Sequence, residues 1–309
     1  MIERKAYAKV NLGLDIVGQR PDGYHLVRMI MQTLNIYDEL TFEKSDEAGI
    51  RIMMIESAGT LNGSEESSLK TAGGLSLGED NLIYKAAHII AEKAGYNGGI
   101  EITLSKNIPI AAGMAGGSSD CAATLLGVNE LLDAGLSEKE LMEIGVRLGA
   151  DVPYCIMGGT ALSEGIGEVL TRLKPLPESY FVVAKPGISV STAEAYGGFD
   201  ELFGSGEEIV HPDIDGQVEA LEKGSLMGVT DRLMNVLEYV TAARHPEIGR
   251  LEELMKQQGA MNAVMSGSGP TVFGIFDNKE KAETAAEEIS KSGLAAQLFV
   301  TECVNENEW

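Results

Sequence analysis

The stretch Pro109-Ile110-Ala111-Ala112-Gly113-Met114-Ala115-Gly116-Gly117-Ser118-Ser119-Asp120 constrains this chain more than any other. Before it, Ile100 to Leu104 alternates apolar and polar residues at the strand period; after it, Ala122, Leu125, Leu126 and Leu132 recur at helical spacing. The stretch is therefore a loop joining a strand to a helix. Glycine and alanine leave its backbone N–H groups bare. With the positive end of the helix dipole and the Ser118 and Ser119 hydroxyls, they make a concave set of donors for phosphate oxygens. Capping alone needs one Ser and at most one Gly. A P-loop is excluded because no Lys follows the glycines, and the short Gly-x-Gly-x-x-Gly turn of a dinucleotide site does not fit either.

A phosphate ligand has to be held locally, because the chain as a whole repels anions. Its 309 residues carry 47 acidic against 24 basic side chains, a formal charge of -23. That balance disfavours nucleic-acid and anionic-membrane surfaces. The apolar fraction of 44% suits a globular protein with one large domain or two. Cys121, Cys155 and Cys303 show no CxxC spacing, which supports neither a disulfide framework nor a zinc site. Without the apolar run of a signal peptide or a membrane span, a cytoplasmic protein is expected.

In chain order, residues 2 to 17 read as an extended strand, with Ala6, Ala8, Val10, Leu12, Leu14 and Ile16 on one face and Lys9, Asn11 and Asp15 on the other. By itself Lys9 reads as a solvated strand residue. Arg20-Pro21-Asp22-Gly23 is a turn that presents Tyr24 and His25. Strands follow at 29 to 42 and 50 to 55, and residues 57 to 80 read as a flexible excursion. Asp80 or Asn81 caps a helix to about Ala94, and Ser137 with Glu140 forms a capping box for another ending near Gly149. Pro153 is expected to hold Val152 extended and to leave Asp151 at a helix-to-strand corner. By itself Asp151 suits an exposed turn as well as a cleft.

Strands over 158 to 184 lead to a helix capped by Ser191 or Thr192, then to an acidic loop from 200 to 217. Two or three helices between 216 and 258 are expected to break at Gly228 and at His245-Pro246. The chain then closes with a strand at 262 to 265, the tight Ser266-Gly267-Ser268-Gly269-Pro270 loop, a strand at 271 to 276, a helix capped by Asp277 and a strand at 296 to 300, a ferredoxin-like pattern. His88, His211 and His245 show no partner pattern and read as structural.

Pro109-x-x-x-Gly113-x-x-Gly116-Gly117-Ser118-Ser119 resembles the phosphate loop of the GHMP kinase superfamily. Ala8-Lys9-Val10-Asn11-Leu12 and Met265-Ser266-Gly267-Ser268-Gly269-Pro270 resemble its first and third motifs. Arg20 to His25, Gln32-Thr33, Tyr37-Asp38-Glu39-Leu40 and Gly149 to Pro153 are similar to the branch acting on a cytidine-linked methylerythritol in the non-mevalonate isoprenoid route. The similarity spans nearly the whole chain. It implies an α+β fold of two domains: residues 1-160, a mixed-sheet α/β domain like ribosomal S5 domain 2, and 161-309, a ferredoxin-like domain.

The resemblance also implies an ATP-dependent small-molecule kinase. Asp151 would be the base that takes the proton of a tertiary hydroxyl, and Lys9 would orient that hydroxyl. Leu82, Ile83 and Lys106 match the adenine pocket; Pro109, Gly113, Gly116, Gly117, Ser118 and Ser119 match the phosphate seat, with Ser118 or Ser119 reaching Mg2+. Tyr24 and Tyr196 would sandwich the base, His25 would read its edge, and Asn11 and Thr192 would approach the substrate. Asn235-Val236-Leu237-Glu238 is similar to a family Asn-Asp-Leu-Glu segment, with Val236 at the Asp position. A mevalonate- or homoserine-type kinase, or a silent nucleotide sensor on the same fold, stays open here, as do monomer and homodimer.

Overall fold

A computed structural model describes residues 1–56, 76–204 and 209–305, with the side chains of 203 and 204 left aside. Most of the excursion expected at 57 to 80 lies outside the described residues. A single path of strands, β3-β4-β2-β11-β7-β10-β9, runs through the molecule. Strands β1 (Ile2–Gln19) and β2 (His25–Ser45) pair antiparallel, and β2 also pairs with β4 (Gly99–Lys106), beyond which lies parallel β3 (Gly49–Glu56). The hairpin of β5 (Thr160–Glu164) and β6 (Val169–Arg172) joins β2 through β5. Helices α1 (Leu82–Lys93), α2 (Gly116–Leu132), α3 (Glu138–Leu148) and α4 (Val152–Met157) pack together and against this mixed sheet. Asn81 caps α1, and the Ser137–Glu140 capping box starts α3, both as the sequence predicts.

In the second half, β7 (Tyr180–Lys185), β9 (Asn262–Met265), β10 (Val272–Phe276) and β11 (Gln297–Val304) stand in the order β11-β7-β10-β9. All three of their pairings are antiparallel, which is the expected ferredoxin-like layer. Strand β11 runs past the predicted end. Its Cys303 and Val304 pair with Leu34 and Thr33 of β2, joining the two sheets.

Several details depart from the sequence reading. The expected single face of β1 is divided: Ala6, Leu14 and Ile16 enter one core, whereas Ala8, Val10 and Leu12 enter another. Its ladder with β2 shifts register by two residues at Tyr7/Lys9 and by one at Asn11/Gly13, and the one-residue shift exchanges the faces of the strand. Val152 is not extended, because Pro153 sits in the first turn of α4, where its missing N–H costs nothing. The 200 to 217 loop is shorter than expected: α5 (Thr192–Gly204) fills part of it, and α6 (Ile214–Glu222) starts at the Asp213 cap.

The last departure is in the helices that follow. Helix α7 (Leu226–Thr230) contains Gly228 rather than breaking there; a Cβ at that position would stand 2.9 Å from the Ala220 side chain, so the glycine lets α7 pack closely against α6. The chain passes on through the short strand β8 (Met234–Asn235). Helices α8 (Glu238–Arg244) and α9 (Pro246–Gln257) then do divide at His245. Asn278, one residue after the expected Asp277, caps α10 (Lys279–Ser292).

Candidate active site

The phosphate loop becomes a concave surface through its backbone. Ala111, Gly113 and Ala115 have φ of 51°, 71° and 56°. Alternating these with ordinary residues turns successive N–H groups toward one side, the geometry of an anion nest. Two alanines held in the left-handed region store about 1 kcal/mol each or more, a cost that a passive turn would avoid. Gly116, Gly117 and Ser118 then open α2, and the first N–H groups of a helix have no acceptor within it.

The other glycine loop clamps this surface from outside. Ser266 Oγ donates to Gly113 O at 2.9 Å, and a Cβ on Gly113 would stand 2.2 Å from Ser266 O. Gly113→Ala is therefore expected to destabilise the protein by about 2 kcal/mol, from the positive φ and the closed space together. A Cβ on Gly117 would meet nothing within 4 Å, so Gly117→Ala changes stability by about 0.5 kcal/mol or less. Urea denaturation of the two variants checks the contrast.

The Asn235 segment supports the same loop. Asn235 Nδ2 donates to Met265 O at 2.9 Å and Gly267 O at 2.8 Å, while its Oδ1 accepts from Leu237 N at 3.0 Å. Glu238 accepts from Met265 N at 2.5 Å; burial, with Glu252 beside it, holds its carboxyl well above the usual range. Val236 is a fully buried core residue. The segment keeps a structural task without an Asp at that position.

Lys9 is buried, not solvated. Its backbone N–H donates to Met114 O at 3.2 Å, tying β1 to the phosphate loop. Its ammonium donates to Asn11 Oδ1 at 2.7 Å and stands 3.6 Å from Asp151 Oδ2. The first register shift of β1 falls at Tyr7/Lys9, and the pleat then sends Lys9 and Asn11 to the same side. Asp151 is the N-cap of α4, at the favourable end of that helix, not the unfavourable end of α3. Its carboxylate makes no capping hydrogen bond and remains directed at Lys9.

These groups line one cleft of about 700 Å³. Lys9, Asn11, Tyr24, His25, Leu82, Lys106, Pro109, Gly113, Gly116, Gly117, Ser118, Asp151, Thr192 and Tyr196 all face it. Ile83 and Ser119 do not. Ile83 is 1% exposed and packs in the core beneath α1. The Ser119 hydroxyl donates to Tyr7 O at 2.7 Å and its N–H to Ala115 O at 2.8 Å, so helix phase turns it inward. Thr192 meets Ser268 of the second glycine loop at 3.2 Å.

At the far end, the His25 and Tyr196 rings lie with centroids 4.8 Å apart, and Tyr24 stands 60% exposed. Burial, with the Asp151 charge, pushes the Tyr196 phenol upward. His211 has a partner that the sequence did not reveal: its Nδ1 meets Asp15 Oδ1 at 2.7 Å. Cys121 is fully buried and its thiol is pushed up to about 12, mainly by burial, which makes it inert.

Asp38, buried behind the cleft, and Asp120, which lines it, carried no role in the sequence reading. Lys106 Nζ donates to Asp38 and, at 2.8 Å, to Asp120. Asp38 also accepts from Asn107 N at 2.5 Å and Ile108 N at 2.8 Å. The signal was available for one of them: Asp120 closes the phosphate stretch. Among the described residues no group of three or more His, Cys, Asp or Glu could hold a metal ion, and no helix is long and apolar enough to cross a membrane.

The chain matches known proteins over nearly its full length. Residues 81–159 match the family described as GHMP kinases N terminal domain, and 216–295 match GHMP kinases C terminal. The chain is 47% identical over 301 residues to a 4-diphosphocytidyl-2-C-methyl-D-erythritol kinase of Lachnoclostridium phytofermentans, covering 97% of each chain. It is 42% identical over 306 residues to that of Clostridium perfringens, covering 99% of each. A crystal structure of 4-(cytidine 5'-diphospho)-2C-methyl-D-erythritol kinase superposes with a TM-score of 0.77 at 30% identity, over 98% of this chain and 99% of that one. A mevalonate kinase of L. major superposes at 0.73 with 15% identity, over 100% of this chain and 97% of that one, a likeness of fold alone. Full-length identity at this level places the chain in the GHMP kinases, as a member of the 4-diphosphocytidyl-2-C-methyl-D-erythritol kinase family.

Proposed function

We propose that the chain moves the terminal phosphoryl group of ATP to the 2-hydroxyl of 4-diphosphocytidyl-2-C-methyl-D-erythritol, a step toward isoprenoid precursors. The observation that carries this reading is the Lys9–Asp151 pair, 3.6 Å apart in the cleft that the phosphate loop also lines. An alcohol is a weak nucleophile at neutral pH. As its oxygen bonds to phosphorus and the bond to ADP breaks, its proton passes to the Asp151 carboxylate. Lys9, held by Asn11, orients the oxygen. The N–H groups of Gly116, Gly117 and Ser118 hold the phosphates in line, where positioning and charge stabilisation supply most of the rate.

Magnesium is expected with the ATP. It keeps several waters and takes few protein ligands, so one hydroxyl at a phosphate seat suits it. Ser118 lines the cleft and would hold it, whereas the Ser119 hydroxyl is committed to Tyr7. When bound, the ion neutralises phosphate charge.

Tyr196, His25 and Tyr24 favour this substrate over mevalonate or homoserine, which carry no base to stack. The test is ADP release with magnesium and ATP, comparing the three acceptors. Turnover confined to mevalonate or homoserine would overturn the reading. Tyr196→Ala is expected to raise the KM for the cytidine substrate about tenfold through lost stacking, leaving the KM for ATP within about twofold. Equal changes in the two constants would remove the stacking role.

A further inference from the structure

His25 lines the cleft, yet one side of its ring is engaged by a residue 175 positions away: Nε2 stands 2.6 Å from Asp200 Oδ1. Asp200 and Tyr196 are four residues apart on α5, and so lie on one face of that helix. The Tyr196 ring lies 4.8 Å from the His25 ring at an angle of 38°, and Asp200 meets the ring's edge. Together they fix the ring both in tilt and in rotation.

We propose that Asp200 is a positioning residue that sets the base preference of the cleft by fixing His25 in one tautomer. A carboxylate only accepts hydrogen bonds, so the hydrogen between the two residues sits on Nε2. In a neutral imidazole the other nitrogen, Nδ1, then carries a lone pair. No hydrogen bond among the described residues engages Nδ1. An acceptor fixed beside the stacking tyrosines pairs with the 4-amino group of cytosine. The 4-oxo group of uracil would face it lone pair to lone pair. Asp200 thus selects an amino-bearing pyrimidine without touching it. This inference rests on the proposed cytidine substrate.

The test measures CDP and UDP binding by calorimetry at about pH 8, where an imidazole is neutral, alongside turnover of the cytidine substrate. The native protein is expected to prefer CDP by about 30-fold, the worth of one satisfied against one opposed polar contact. Asp200→Ala is expected to bring that preference within about threefold, chiefly by weakening CDP. Asp200→Asn falls between, because an amide can donate or accept. Nitrogen-15 spectra of His25 are expected to show a single Nε2–H tautomer in the native protein and a mixture in Asp200→Ala. A purely structural pair would leave preference and tautomer unchanged in Asp200→Ala, and that result overturns the inference while the kinase reading stands. Failure of the native protein both to bind CDP and to turn over the cytidine substrate overturns both.

Discussion

Asp151→Asn is expected to lower kcat about a thousandfold, within the range for removing a positioned general base. The amide keeps the shape of the carboxylate but cannot take the proton that the substrate hydroxyl loses as the new O–P bond forms. The KM for ATP is expected to stay within about twofold, because the proposed seat of the nucleotide is the backbone of the phosphate loop. Stability should fall by about 2 kcal/mol: the Lys9 side chain is 5% exposed and that of Asp151 28%, so a buried ammonium is left without its counter-charge. Lys9 loses its counter-charge but keeps Asn11. Single-turnover kinetics with a urea curve for each variant check these expectations. An unchanged kcat would assign Asp151 to substrate orientation alone and leave the hydroxyl proton to solvent.

How far that site was legible depended on whether its chemistry was local in the chain. The phosphate loop announced itself because its demand for small residues, positive φ and a helix start falls within twelve neighbouring positions, 109 to 120. The ferredoxin-like half was legible for the same reason: strand, loop, strand, helix and strand follow one another without interruption. Lys9 was misjudged from its own segment because burial is a tertiary fact. Register shifts in the ladder of β1 with β2, which a strict period of two does not anticipate, help decide which residues turn inward. At Val152 the restriction that proline places on its predecessor gave way to the preference of proline for a helix's first turn. Ser119 differs from Ser118 only by one step of helix phase, yet that step takes it from the cleft to Tyr7. His211–Asp15 and Lys106–Asp38 join residues 196 and 68 positions apart, and no local pattern reports such pairs.

Lys106→Ala is expected to destabilise the protein by about 3 kcal/mol or more, the cost of leaving buried carboxylates without their cation. The side chains of Asp38 and Asp120 are 0% and 3% exposed, and one ammonium serves both. Burial alone would lower the Lys106 ammonium; Asp120 and Asp38 more than offset it and hold it above the usual lysine range. The two carboxylates are not equivalent. Asp38 has three donors, whereas Asp120 has Lys106 alone and its Oδ1 is buried without a partner. Burial therefore raises Asp120 well above the carboxylate range, against the pull of Lys106 and with Asp38 adding to the rise. A carboxyl raised on folding contributes its stability below the unfolded carboxylate range and loses it as pH rises toward the folded value. Asp120→Asn is thus expected to be near neutral in acid and increasingly stabilising, relative to the native chain, as pH rises. In the Lys106→Ala background it should restore part of the loss, because it removes the carboxyl that has no donor besides Lys106. Urea midpoints of the native chain, both single variants and the double variant, at acidic and neutral pH, test the scheme. Strictly additive effects of the two substitutions would show that Lys106 and Asp120 are not coupled, and that Lys106 is held by Asp38 alone.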